Sequence, residues 1–269
     1  MGKELDRLIK IVARLRAPGG CPWDREQTHK SLLNCLLDET YEFFEAAEEN
    51  DDRKMREELG DLLLQIVLHA HIASEEGKYT IEEVAAGISE KLIRRHPHVF
   101  GKTSVASSAE VLHNWEKIKK EEKKHQRKYL VDDIPEAMPA LFRAEKIQRR
   151  VARVGFDWRD VRPVFNKVIE EFNEFKQALA RGSRKHAEEE LGDILFALVN
   201  VARHYNICAE DALRAATHKF AKRFRYIEDR FAQSKKDLRK ATLRQMDKYW
   251  EEIKKAERRP YEQSRHRQM

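Results

Sequence analysis

The chain has 269 residues, enough for two modest domains, with 37% charged and 41% hydrophobic residues, a balance suited to amphipathic helices around a core. Its 53 Lys and Arg against 47 Asp and Glu give a net charge of +6, which reads equally as an ion-pair-laced surface or as attraction for a polyanion. No apolar run approaches the roughly 18 residues that span a bilayer. The first residues lack a signal-peptide core, and Cys21, Cys35 and Cys208 form no CxxC pair, so membrane and disulfide-framework classes are set aside and reduced thiols in the cytoplasm are expected.

Gly and Pro are scarce and strand-like alternation is absent, so every predicted element is a helix. The first covers Leu5 to Leu15 and ends at Ala17-Pro18-Gly19-Gly20. The second begins near Thr28, carries Leu32, Leu33, Leu36, Leu37 and Tyr41, and reaches Glu48. After a turn at Asn50-Asp51-Asp52, a third runs from Lys54 to Glu75 and closes at Gly77. Thr80 and Glu83 read as a capping box that opens a fourth, ending at Arg95 before His96-Pro97-His98. A polar helix follows over Glu110 to Lys124.

The second half repeats the plan, with helices over Leu141–Val151, Val161–Ala180, Arg184–Tyr205, Ala209–Ala232 and Leu243–Ala256. Gly155-Phe156-Asp157-Trp158 reads as a loop with buried aromatics. The expected organisation is an N-terminal domain over 1–127, a linker over 128–139, a C-terminal domain over 140–256 and a polar tail over 257–269.

The informative feature is a duplicated acidic pattern. Asp38-Glu39-Thr40-Tyr41-Glu42 followed by Glu58-Leu59-Gly60-Asp61 recurs as Glu170-Glu171-Phe172-Asn173-Glu174 followed by Glu190-Leu191-Gly192-Asp193. The offset is 132 residues throughout, from Asp38 to Glu170 and from Asp61 to Asp193. Within each copy the acids share helix faces, and a short turn makes the two helices antiparallel neighbours. Clustered carboxylates repel unless they hold a cation, and hard oxygen ligands without Cys or His suit Mg²⁺ or Mn²⁺ over Zn²⁺. Gly60 and Gly192 lie inside helices, where they cost stability, so a close approach of another helix or of a ligand is expected there.

Lys91 and Arg95 share a face, as do Lys219 and Arg223; such pairs bind phosphate, although Lys and Arg at this spacing are also ordinary helix surface. Trp115 reads as packing and Trp250 as packing or a base stack. His69, His71, His96, His98 and His204 have no counterpart across the repeat and read as packing or surface groups. Trp23-Asp24 and Asp157-Trp158 read as caps that anchor the acidic helices.

The pattern EExxE followed by ExxD resembles the MazG family of nucleoside triphosphate pyrophosphohydrolases. So do Cys21-Pro22-Trp23-Asp24, Arg94-Arg95-His96-Pro97-His98-Val99-Phe100, Val154-Gly155-Phe156-Asp157-Trp158 and the paired Trp-Glu-x-Ile-Lys at Trp115 and Trp250. The resemblance runs from about residue 5 to 256. It implies an all-α fold of two tandem MazG domains, each completed as a helical bundle in a homodimer. It also implies Mg²⁺-dependent hydrolysis of nucleoside triphosphates to monophosphate and pyrophosphate. The metal ligands implied are Glu171, Glu174, Glu190 and Asp193, with Glu170 beside them, and Glu39, Glu42, Glu58 and Asp61 in the first copy. Lys219, Arg223 and Trp250 are implied at the nucleotide, with Lys91 and Arg95 as their first-copy counterparts. Glu171 or Glu174 is the candidate base for water attack at the α-phosphorus. Asp38, where the family pattern has Glu, is expected to weaken the first site.

Two rival readings compete. One is a non-catalytic helical module that binds a nucleotide or a regulatory partner. The other is a nucleic-acid binder using the basic stretches Lys117–Lys128 and Arg214–Arg230, disfavoured because acids interleave with the bases and no nucleic-acid-binding module is recognisable.

Overall fold

The computed structural model describes residues 2–122 and 129–266. The end of the predicted polar helix and of the basic stretch Lys117–Lys128, and the last residues of the polar tail, lie outside the described residues. Among the described residues the chain is built from α-helices, with no strand, and divides into two compact units, 1–125 and 126–269. None of these helices is long and apolar enough to cross a membrane.

The first unit contains α1 (Lys3–Arg16), α2 (Pro22–Glu26), α3 (Leu33–Glu49), α4 (Asp52–Glu75), α5 (Ile81–Arg95), α6 (Pro97–Phe100) and α7 (Ser108–Glu122). Helix α3 starts later than the apolar periodicity predicts. Thr28 and Ser31 bond to each other first: Thr28 N–H donates to Ser31 Oγ (2.9 Å) and Ser31 N–H to Thr28 Oγ1 (3.1 Å). Such local side-chain bonds compete with helix formation. Asn50, in the left-handed region at φ 55°, ends α3, and Asp51 starts α4 by accepting from the Arg53 and Lys54 N–H groups. That tight turn makes α3 and α4 a hairpin. The capping box at Thr80 is present with both of its bonds.

Val12 on α1, Leu32 before α3, and Val67, Leu68 and Ile72 on α4 form the core of this unit. Burying each such side chain contributes about 1.5–3 kcal/mol. The core grips the C-terminal half of α4, which leaves Glu58 and Asp61 on its other half to face α3.

The second unit contains α8 (Ala140–Ala152), α9 (Val161–Ala180), α10 (Arg184–His204), α11 (Ala209–Gln233), a 3-10 turn (Leu238–Lys240) and α12 (Leu243–His266). Gly182, at φ 68°, makes the turn of the α9–α10 hairpin. Helix α8 packs on α10 and α11, and Gln148 Nε2 donates to the Phe196 carbonyl (2.8 Å). Val164, Ala178, Ile194, Val199, Ile227 and Phe231 are buried.

Four expectations are corrected. The α9 cap is Asp160, which accepts from the Arg162 N–H, whereas Asp157 clamps Arg203 (2.5 Å) near the end of α10; α3 has no side-chain cap. The aromatics of the 155–158 loop are exposed, Phe156 at 80% and Trp158 at 44%. The segment expected as a linker, from residue 129 on, is tied to α8: Ile134 is buried, and Arg150 bonds the Leu130 and Asp132 carbonyls and pairs with Asp133 (2.7 Å). Helix α12 continues to His266, past the predicted end.

Candidate metal and nucleotide site

Each hairpin concentrates its carboxylates at one place. In the first unit, oxygens of Glu39 on α3 and of Glu58 and Asp61 on α4 all lie within 4.8 Å of one another. Burial raises Glu58 above the ordinary carboxylate range, with Glu42, Asp61 and Glu57 adding to the effect and Lys54 opposing it. Burial also raises Glu39, reinforced by Asp61, Glu42, Glu58 and Asp38. Glu42 and Asp38 therefore belong to the same electrostatic group without joining its tightest triad.

In the second unit, Glu171 joins two triads of the same dimension, one with Glu170 and Glu174 and one with Glu190 and Asp193. Glu171 and Glu190 are buried. Burial raises Glu190, with Glu174, Glu171 and Asp193 adding and His186 opposing. Its Oε2 is buried without a hydrogen-bond partner, while its Oε1 lies 3.4 Å from His186 Nε2. A buried carboxylate oxygen left open, beside like charges, is the chemistry of a hard-cation ligand set, so these residues fit a divalent metal.

Lys167, which the sequence reading did not single out, contacts this cluster directly. Its Nζ lies 2.8 Å from Glu170 and 2.6 Å from Glu171. The signal was present in the spacing, since Lys167 precedes the two acids by three and four residues on one helix. The position 132 residues earlier is Cys35, so the first unit has no counterpart to this lysine.

The basic residues lie elsewhere in each unit. Arg95 on α5 stacks over Trp115 of α7, 5.4 Å from the ring centre, and pairs with Glu122 at 2.5 Å; Arg94 also pairs with Glu122, at 2.6 Å. Arg223 on α11 stacks over Trp250 of α12 at the same 5.4 Å and pairs with Glu257 at 2.8 Å. Trp250 also packs on Phe220. Lys91 and Lys219 are exposed on the same two helices. None of these five cations is among the charges that dominate at Glu39, Glu58 or Glu190. Helix α5 packs on α4, α6 and α7 but not on α3, and α11 packs on α8, α10 and α12 but not on α9. The structure thus gathers the acids and, separately, the Arg–Trp–Glu groups.

Neither helix glycine has a close neighbour. Among the described residues, a Cβ at Gly60 or Gly192 would meet nothing within 4 Å, so no described helix of its own unit explains either glycine. The histidines are packing and surface groups: His69 stacks on His29, His71 faces Glu75 (3.4 Å), His96 bonds the Leu92 carbonyl and lies against Trp115 and His98, and His204 pairs with Asp157 (3.3 Å).

The family model for the MazG nucleotide pyrophosphohydrolase domain matches this chain twice, over residues 27–100 and 162–227, so each match encloses one acidic hairpin. A nucleoside triphosphate pyrophosphohydrolase of Escherichia coli (strain K12) is 45% identical over 258 residues, covering 94% of this chain and 98% of that protein. A nucleoside triphosphate pyrophosphohydrolase/pyrophosphatase MazG of Thermotoga maritima is 44% identical over 249 residues, 93% of this chain and 95% of that protein. The protein YabN of Bacillus subtilis (strain 168) is 48% identical over 257 residues, 95% of this chain and 53% of its own length. With two model matches that together span more than half its length, and relatives aligned nearly end to end, the chain belongs to the MazG nucleotide pyrophosphohydrolase family.

Proposed function

We propose that this protein hydrolyses nucleoside triphosphates to nucleoside monophosphate and pyrophosphate with Mg²⁺, and that Mn²⁺ can replace it. The observation that carries this reading is the paired carboxylate triads sharing Glu171, with a buried, unpaired Glu190 oxygen, on a hairpin inside a MazG domain. Glu171, Glu174, Glu190 and Asp193, with Glu170, would hold the ion, and Glu39, Glu42, Glu58 and Asp61 would do so in the first unit. The metal, when bound, supplies Lewis-acid polarisation of the phosphates and a lowered pKa for the attacking water.

The chain's own residues do the rest. Glu171, which is buried, and Glu174 would take a proton from the attacking water. Lys219 and Arg223 neutralise the leaving pyrophosphate, and Trp250 covers the nucleotide. Lys91 and Arg95 are the first unit's equivalents. For Arg223 to take phosphate, it must give up or share its bond to Glu257.

The same reading includes a second copy of the chain. Leu33, Leu37, Leu59, Leu63 and Ile66 are between 38% and 53% exposed; their counterparts Phe165, Ile169, Leu191, Leu195 and Leu198 are between 45% and 60% exposed. An apolar stripe this long, repeated on both hairpins, has the character of a surface that another protomer covers. The open space above Gly60 and Gly192 supports a close approach from that side.

The test is a panel of nucleoside triphosphates with and without Mg²⁺, with product identification. Monophosphate plus pyrophosphate, dependent on Mg²⁺, is expected. Nucleotide binding without turnover would instead favour a non-catalytic regulatory module.

A further inference from the structure

Lys167 sits where an incoming cation must go. Its Nζ bridges Glu170 (2.8 Å) and Glu171 (2.6 Å), and Glu171 is the one residue shared by both carboxylate triads. Lys167 is half exposed whereas Glu171 is buried, so the ammonium reaches into the cluster from its open side. The two acids hold the lysine in its charged form, as their hydrogen bonds to it raise its pKa. In the other repeat the same place is held by Cys35, which carries no such charge, and the carboxylates there face one another without a tethered partner on α3.

We propose that Lys167 is a tethered counter-ion that competes with the divalent cation for Glu170 and Glu171, and so sets the metal affinity of the C-terminal site apart from that of the N-terminal site. The proposal rests on the metal-site reading above. Its physical basis is that a dication bonded to Glu171 and an ammonium 2.6 Å from the same carboxylate repel at short range, so one must displace the other. In the metal-free protein the lysine offsets carboxylate repulsion that would otherwise strain the α9–α10 hairpin. In the metal-bound protein that benefit is lost and lowers the net affinity. The N-terminal hairpin has Cys35 at this place; Lys54, which lowers Glu58 through its charge, is itself paired with Glu49 (3.2 Å).

The experiment is Mn²⁺ binding, by electron paramagnetic resonance or calorimetry, to the full chain with the N-terminal cluster disabled by Glu58→Ala and Asp61→Ala. Lys167→Met should bind Mn²⁺ roughly three- to tenfold more tightly, as expected for removing a competing ion pair of partly exposed type. It should also melt at lower temperature in chelator and gain more from added Mn²⁺, whereas Lys167→Arg should stay near the parent affinity. A reciprocal arm uses the full chain with the C-terminal cluster disabled by Glu190→Ala and Asp193→Ala, in which Cys35→Lys should weaken Mn²⁺ binding at the N-terminal site. This arm keeps the idea testable if Lys167→Met fails to fold. Unchanged or weaker binding in Lys167→Met, or no loss in Cys35→Lys, would overturn the proposal. A control separates the two failures. If Mn²⁺ binding survives Glu190→Ala in the first background, the metal reading itself is wrong and this proposal falls with it; if Glu190→Ala abolishes binding but Lys167→Met leaves it unmoved, only the competition is refuted.

Discussion

The guanidinium of Arg223 lies 5.4 Å from the ring centre of Trp250, the same separation that Arg95 keeps from Trp115. In each unit a glutamate seven residues beyond the tryptophan completes the group, Glu257 in one and Glu122 in the other. The second repeat thus preserves a cation–π contact and an ion pair together, both of which dock the last helix of the unit onto the helix bearing the arginine.

This docking should respond to acid. Hydrogen bonds from Arg95 and then Arg94 hold the Glu122 carboxyl down at about 2. A carboxylate whose pKa is depressed on folding stabilises the fold above its unfolded value near 4.5, and that contribution is lost as pH falls from about 4.5 towards 2. In a variant retaining Trp115 as its single tryptophan, fluorescence should report α7 loosening across this window. Glu122→Gln should weaken docking at neutral pH and flatten the acid response; an identical pH profile in the two proteins would rule out the ion pair as the cause.

Glu174→Ala and Asp193→Ala should each lower pyrophosphate release by at least about a hundredfold while helical circular dichroism is retained. Without metal their melting temperatures should hold or rise, since a source of carboxylate repulsion is gone. Full turnover in either variant would remove the C-terminal cluster from the chemistry.

The two sites should be unequal. Glu170 joins a carboxylate triad in the second unit, whereas Asp38, one methylene shorter, joins none in the first. Mg²⁺ demands near-ideal octahedral geometry and tolerates such shortening poorly. Glu42→Ala should therefore reduce turnover less than Glu174→Ala when both are assayed at saturating Mg²⁺ on one substrate. Equal losses would show that both halves contribute alike.

Turnover in ¹⁸O-labelled water should place the label in the nucleoside monophosphate, as attack at the α-phosphorus requires. Label in orthophosphate, with nucleoside diphosphate as the other product, would mean attack at the γ-phosphorus.

Leu32 is fully buried against Val12, Val67, Leu68 and Ile72, so Leu32→Ala should destabilise the first unit by about 2–5 kcal/mol in denaturant unfolding. A loss under 1 kcal/mol would mean that this core collapses readily around the cavity.

The helical hairpins and their acids were legible in the sequence because both signals are local. Apolar residues at helical spacing, the Thr80–Glu83 capping box and the 132-residue repeat of Glu171 as Glu39 and Asp193 as Asp61 need no knowledge of distant contacts. The spacing of Lys167 from Glu170 and Glu171 is equally local, but only its 2.6 Å approach to a buried glutamate distinguishes it from other helix lysines. Tertiary structure alone decided that Asp157 clamps Arg203 instead of capping α9, that Phe156 and Trp158 are exposed, and that Glu122 and Glu257 hold the arginines. These are pairings between residues 27 to 46 positions apart, and they depend on which helix faces meet. Helix periodicity states which face is apolar; it does not say which charged side chain waits on the neighbouring helix, and for these groups that neighbour sets both burial and partner.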